Sequence, residues 1–231
     1  MIVLAITAGR RGVSELLRRM FQWRVNASWY AVALLLPITI STAAAGLNIL
    51  LGAAPPSSQQ LGTWPALAGT FALLLLVPGI GGAWEEPGWR GYLTPQLQGR
   101  HTGLTASLIT GVLWASWHVP LFVNGIVPWS DALTIIPTAI VFAWLLNASG
   151  GSVLILMLSH AMNNTVGWWR TMFSGADTTR EDFILLGLWC LVAVVVTALV
   201  GAERLGRGNV ADESAPMSRR SLVIGGRPGT P

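Results

Sequence analysis

Two adjacent carboxylates, Glu85 and Glu86, interrupt a stretch that is otherwise free of formal charge: no Asp, Glu, Lys or Arg occurs between Val25 and Trp84. Glu86 and Arg90 are four residues apart, which on a helix puts them on one face. A carboxylate in apolar surroundings is neutralised or paired. Arg90 is therefore the expected partner of Glu86, and Glu85 is left without a local counter-charge. Two neighbouring carboxylates become chemically unlike in this way, one structural and one available as a base. His118 lies in Trp114-Ala115-Ser116-Trp117-His118-Val119-Pro120, and His160 in Ser159-His160-Ala161-Met162-Asn163-Asn164. His160 and Asn164 share a helical face by the same spacing. A carboxylate and an imidazole together can activate water for attack on a carbonyl. A second imidazole and an Asn amide can stabilise the oxyanion that results. The same Glu85, His118 and His160 could instead hold a divalent metal such as zinc, with the fourth position left for water. Spacing alone does not separate these chemistries, because there is no His-Glu-x-x-His, no Gly-x-Ser-x-Gly and no Walker loop.

The elements that must position these groups are membrane helices. Hydrophobic residues make up 52% of the chain and charged ones 10%, against about 25% charged in a soluble domain. The charge-free stretches 25–84, 101–130, 132–169 and 183–202 supply the ~20 apolar residues that a crossing needs, the first and third twice over. The expected fold is all-α: a polytopic transmembrane bundle of about six spans over 29–51, 70–98, 102–123, 132–149, 152–169 and 182–202. The second span is broken by Pro78, Gly79, Gly81, Gly82 and Pro87, a break tolerated where neighbours or a wet cavity satisfy the freed backbone. A β-barrel would instead read as alternating ten-residue segments. Within a single bundle over 1–203, residues 13–24 read as an amphipathic interfacial helix. Val13, Leu16, Leu17, Met20 and Phe21 form its apolar face, and Arg18, Arg19 and Gln22 its polar one. Residues 204–231, rich in Gly, Pro, Ser and Arg, read as a disordered tail.

All 14 basic residues are Arg; Arg10, Arg11, Arg18, Arg19 and Arg24 precede the first span, and Arg204, Arg207, Arg219, Arg220 and Arg227 follow the last. That distribution predicts a multi-pass protein of the cell membrane with both termini in the cytoplasm, and it argues against nucleic acid as the reason for the high pI. Cys190 is the one cysteine, so an intrachain disulfide is excluded, and its apolar neighbours predict a packed thiol. Trp29, Trp64, Trp129 and Trp168 fall near span ends, where indoles favour the headgroup layer. Trp84, Trp89, Trp114 and Trp117 gather instead around the polar residues.

A turn at 99–102 makes the helices on either side antiparallel. At 1.5 Å per residue, Glu85 and His118 then lie at similar depth, roughly 22–27 Å from the turn. The ordered set Glu85-Glu86-x-x-x-Arg90, the His118 segment and His160-x-x-x-Asn164, on successive helices, resembles the CAAX-protease and bacteriocin-processing family of intramembrane endopeptidases. The likeness covers about residues 64–170, the motif core. It implies that Glu85 is the catalytic carboxylate, that His118 helps it activate water, that His160 and Asn164 form the oxyanion hole, and that Glu86 and Arg90 hold the site together. It also implies a membrane-associated peptide or protein as substrate. The family is described both as glutamate-dependent and as a metalloprotease; in the second case Glu85, His118 and His160 would be the ligands. Trp114 stands where the family's second motif has Phe, which keeps an aromatic shelf. Two other functions fit parts of the pattern: a non-catalytic scaffold or bacteriocin-immunity-type protein of the same fold, and a small transporter or proton relay, for which paired repeats are lacking.

Overall fold

In the computed structural model residues 2–208 are described, and every regular element among them is helical. Helix α1 (Ile2–Met20) is kinked at Gly9, whose φ of +60° suits a residue without a side chain. It is followed by α2 (Ala27–Leu50), a short α3 (Ser58–Leu61) and α4 (Trp64–Leu76). A composite rod comes next: a 3₁₀ turn Gly82–Glu85, α5 (Glu86–Gly88), a π-helical turn Trp89–Leu93 and α6 (Thr94–Gln98). The rest is α7 (Gly103–Trp117), α8 (Val119–Val123), α9 (Ser130–Ala148), α10 (Val153–Gly167), a 3₁₀ turn Trp168–Met172 and α11 (Ala176–Val200).

The chain is a helical membrane bundle. Three helices are long and apolar enough to cross a membrane by length and composition: α2, α9 and α11. They match three of the six expected spans. The other three expected spans correspond to shorter helices, α4 with 13 residues and α7 and α10 with 15 each. α7 is prolonged by α8 after a break at His118. The expected single span 70–98 is corrected to two separate pieces. Pro78 lacks an N–H, and Gly79 and Gly81 both take φ of +83°, so α4 stops at Leu76 and the chain turns before Gly82. The Trp84 indole donates to the carbonyl of Leu75 at 2.9 Å and so satisfies an orphaned group at that end.

α10 is the middle of the bundle. Val153, Ile155, Leu156, Met157, Ser159, His160 and Ala161 are all buried, and a helix covered on every side lies inside its neighbours. It packs against α2, α4 and the 3₁₀ turn, while α9 packs against α7 and α11. Phe142, Leu145, Leu146, Ile155, Leu156, Trp114 and Trp189 form the main core. Outward positions on α11 such as Leu191, Val194 and Leu199 are exposed, the pattern of a face turned to lipid. Cys190 is exposed on that helix rather than packed.

Two expectations at the chain's ends need correction. In α1, Val13, Leu16 and Met20 pack inward, but Leu17 and Phe21 are exposed, and Arg19 turns into the protein. Arg18 stays outside with Glu15, and its hydrogen bond holds the Glu15 carboxyl below the ordinary range, against a raising effect of burial. At the other end, residues 209–231 of the expected tail lie outside the described residues, but 204–208 are held in place. Leu205 is fully buried, Asn147 donates to its carbonyl at 2.9 Å, and Arg207 donates to the Gln98 carbonyl at 2.8 Å. The carbonyls of Glu203 and Ala202 accept from the Gly103 and Leu104 amides at 2.7 and 2.9 Å, satisfying two of the donors that a helix start leaves over.

α2 and α11 are joined by a polar clamp. Asn48 is fully buried; its Oδ1 accepts from Arg180 Nε at 2.7 Å and its Nδ2 donates to the Asp177 carbonyl at 3.0 Å. Asn48→Ala takes away the acceptor of a partly buried guanidinium and should destabilise the fold by about 1–3 kcal/mol. Thermal unfolding in detergent should read this as a drop of roughly 2–4 °C per kcal/mol; an unchanged midpoint would mean that the clamp contributes nothing.

Candidate active site

The composite rod and α7 run antiparallel, and side chains record the register. The hydroxyls of Thr94 and Thr110 lie 3.2 Å apart, and Glu85 Oε2 accepts from the indole Nε1 of Trp114 at 2.8 Å. The expected turn at 99–102 therefore exists, and the 3₁₀ and π turns that replace a regular helix still bring Glu85 to the depth of α7's C-terminal half. A π turn is a frequent device where a helix must re-aim a side chain. Here it separates Glu86 from α6 and turns Arg90 inward.

Glu86 and Arg90 are both completely buried. Arg90 donates to Glu86 Oε1 at 3.0 Å, as the four-residue spacing predicts. The same oxygen lies 2.7 Å from Nδ1 of His160, a contact that spacing did not predict. Because an ionised carboxylate only accepts, Nδ1 carries the proton, and Nε2 is the ring's remaining atom for chemistry. That side of the ring lies against Gly82: a Cβ built at Gly82 would overlap the imidazole. The Arg90 guanidinium sits over the faces of Trp114 and Phe142, at 4.2 and 5.0 Å. Cation–π attraction there offsets part of the loss at Nε and Nη2, which have no hydrogen-bond partner.

Glu85 is in a different setting. It is half-buried, and its Oε2 accepts from two indoles, Trp114 at 2.8 Å and Trp89 at 3.3 Å. These donors hold the carboxylate without bringing in a counter-charge. Trp114 is the hub of the site. Its ring lies edge-on to His160 and His118 at centroid distances of 5.3 and 6.0 Å. Its carbonyl, released where α7 ends, accepts from His118 Nδ1 at 2.8 Å.

Glu85, Trp114, His118, His160 and Asn164 line one cavity of about 570 Å³. Asn163, Gly82, Asp131 and Asp182 line it too. Asp182 accepts from Ser130 at 2.9 Å. These last four were not singled out as site residues from the sequence. The signal for Asp131 and Asp182 was their position at the edges of charge-free stretches, Asp131 alone and Asp182 behind Arg180 and Glu181. Glu85 also lines a second cavity, of about 600 Å³, walled by Leu16, Met20, Trp84, Trp89, Tyr92 and Trp117. The first cavity mixes polar and apolar walls and is the more polar of the two; the second is mostly apolar.

As a ligand set for zinc, Glu85, His118 and His160 do not fit this arrangement. Among the described residues no three of His, Cys, Asp and Glu gather closely enough to hold a metal; Nδ1 of His160 and of His118 bond to Glu86 and to a backbone carbonyl, which leaves Nε2 as each ring's open nitrogen. No step below is routed through a metal.

Comparison with known proteins agrees with the resemblance drawn from the motifs. Residues 64–166 match the family described as Type II CAAX prenyl endopeptidase Rce1-like. Over 176 residues the chain is 25% identical to a protein named CAAX prenyl protease 2 from Methanococcus maripaludis, covering 71% of this chain and 65% of that relative. The chain thus spans a little under two thirds of the length of the relative it matches.

Gly82 tests the packing of His160. Gly82→Ala forces the imidazole off Glu86 and should destabilise the fold by about 1–3 kcal/mol, the usual range for overpacking. Gly88 has open space around its Cα, so Gly88→Ala should be neutral or slightly stabilising in the same thermal unfolding measurement. Equal midpoints for the two variants would refute the close contact.

Proposed function

We propose that this chain, whose residues 64–166 match the type II CAAX prenyl endopeptidase family, is an intramembrane endopeptidase that hydrolyses a peptide bond of a membrane-associated protein or peptide. One observation carries the reading: a carboxylate held by two indole N–H groups, and not by a cation, opens on the same polar cavity as two oriented imidazoles and an Asn amide. Glu85 takes a proton from water, and His118 assists from the opposite wall. The hydroxide attacks the scissile carbonyl carbon, and the oxyanion is received by the Asn164 amide and by His160 as an imidazolium, with Nδ1–H on Glu86 and Nε2–H toward the oxyanion. The proton held by Glu85 then goes to the departing amine. Glu86 and Arg90 take no part in proton transfer; they fix His160.

The apolar groove on the other side of Glu85 gives this reading its substrate class. An aliphatic chain attached near the scissile bond can lie among Trp84, Trp89, Tyr92 and Trp117 while the peptide occupies the polar cavity. A lipidated peptide would bury apolar area there, at about 25 cal/mol per Å². The Arg clusters at both ends of the sequence support an orientation with both termini in the cytoplasm.

Glu85→Gln keeps the size of the side chain and removes its basicity. With a farnesylated peptide as substrate, cleavage by this variant should fall by at least about 100-fold, while the thermal midpoint in detergent stays close to that of the unaltered protein. The same peptide without its lipid should be cleaved more slowly by the unaltered protein. Full cleavage by Glu85→Gln would remove the mechanism, and a protein that cleaves no lipidated peptide while keeping its cellular phenotype in Glu85→Gln would favour the scaffold reading.

A further inference from the structure

Arg19 belongs by helical spacing to the polar face of α1, yet its guanidinium points into the protein and meets three backbone carbonyls. Nε donates to Gly151 at 2.8 Å, Nη1 to Gly91 at 3.0 Å and Nη2 to Arg90 at 3.4 Å. Arg90 and Gly91 are in the π turn that directly follows Glu85 and Glu86. Gly151 is in the turn that leads into α10, the helix of His160. One planar cation with donors in a fixed fork therefore joins the two elements whose side chains meet at Glu86 and His160.

The surroundings make this a built joint. Leu16 fills the space that a side chain at Gly91 would need, and Leu16 and Met20 are buried in a cluster with Ala83, Val153, Met157 and Ala161, residues of the 3₁₀ turn and of α10. Gln22 Nε2 donates to the Gly150 carbonyl at 3.3 Å, and the Ser152 hydroxyl donates to the Gln22 carbonyl at 2.8 Å. α1 is thus stitched to the α9–α10 turn on one side and to the π turn on the other. A π turn interrupts the regular i→i−4 ladder, so donors from another element can hold its shape.

We infer that Arg19 is a positioning residue of the active site, a staple that sets the register between the Glu85–Glu86–Arg90 segment and the His160 helix. Its catalytic consequence rests on the endopeptidase reading; the staple itself does not. Arg19 touches neither substrate nor reacting atoms. It acts by keeping the 2.7 Å contact between Glu86 and His160, since Glu86 lies one helical turn before the stapled π turn and His160 lies on the helix that the stapled Gly151 turn leads into. A loose contact leaves His160 free to swing away from the oxyanion position, which lowers turnover more than substrate binding.

The test uses the full chain in lipid nanodiscs, with Arg19→Ala, Arg19→Lys and, as control, Arg18→Ala, which removes an exposed side chain paired with Glu15. Hydrogen exchange read by mass spectrometry should be at least tenfold faster in Arg19→Ala over peptides covering 86–93 and 151–157 together, with α2 and α11 unchanged and Arg18→Ala like the unaltered protein. Cleavage of a farnesylated peptide should show kcat reduced at least tenfold with KM within about twofold, and added ethylguanidinium should restore part of the loss. If Arg19→Ala does not fold, Arg19→Lys carries the test: a compact ammonium lacks the planar fork that reaches these three carbonyls, so both segments should still exchange faster. Equal exchange in the Arg19 variants and the unaltered protein overturns the staple, whatever cleavage shows. Faster exchange with unchanged kcat overturns the positioning role. Faster exchange in a family of proteins none of which cleaves any peptide upholds the staple and sinks the endopeptidase reading instead.

Discussion

A single oxygen atom, Glu86 Oε1, holds the site together. It receives Arg90 at 3.0 Å and His160 at 2.7 Å with no exposure to solvent. Taking charges out of water is costly, and removing one partner of such a buried pair typically costs about 3–5 kcal/mol. The surrounding helices must therefore deliver the guanidinium and the imidazole to that oxygen together. This requirement accounts for several departures from regular structure: the stop after α4, the 3₁₀ turn and the π turn. A regular α-helix through 82–98 would present Arg90 to Glu86 but would not also turn both toward α10.

Trp114 supplies the second constraint. Its indole N–H gives Glu85 a donor, its ring face takes part of the Arg90 charge, and its carbonyl orients His118. Glu85 and Glu86 are adjacent in sequence, yet one is held by two indole N–H groups and the other by a guanidinium and an imidazole. The difference in chemical role follows from that difference in partners. Aromatic rings do this well in a low-dielectric interior, because they donate or attract charge without adding charge of their own.

Most of this was legible in the sequence because the signals were strong. Charge-free stretches define a helical membrane protein, and a four-residue interval predicts Glu86–Arg90. A turn at 99–102 brings Glu85 and the His118 segment to similar depth, and the contact between Glu85 and Trp114 agrees with that register. What was not legible depends on three-dimensional geometry. The Glu86–His160 contact joins residues 74 positions apart and has no periodic signature. The single span expected over 70–98 was misjudged because an apolar run continues to Trp84 while the helix stops at Leu76, ahead of Pro78. Arg19 was assigned to the outer face because helical spacing cannot register a set of carbonyls offered by two other elements. Gly82 read as a helix breaker, and its second reason, the absence of a side chain where the His160 ring lies, appears only in the assembled protein.

The segment after α11 has an implication for how the molecule is made. The first amides of α7 find their acceptors at Ala202 and Glu203, so a helix that carries Trp114 and His118 is finished by residues synthesised about a hundred positions later. A nascent polypeptide still lacking that stretch has to leave those amides to water or to a temporary acceptor. Assembly of the wet chamber is therefore a late event in biogenesis, and a fusion or truncation cut before Gly201 would remove the lid from the start of α7 while leaving every reactive side chain in the sequence.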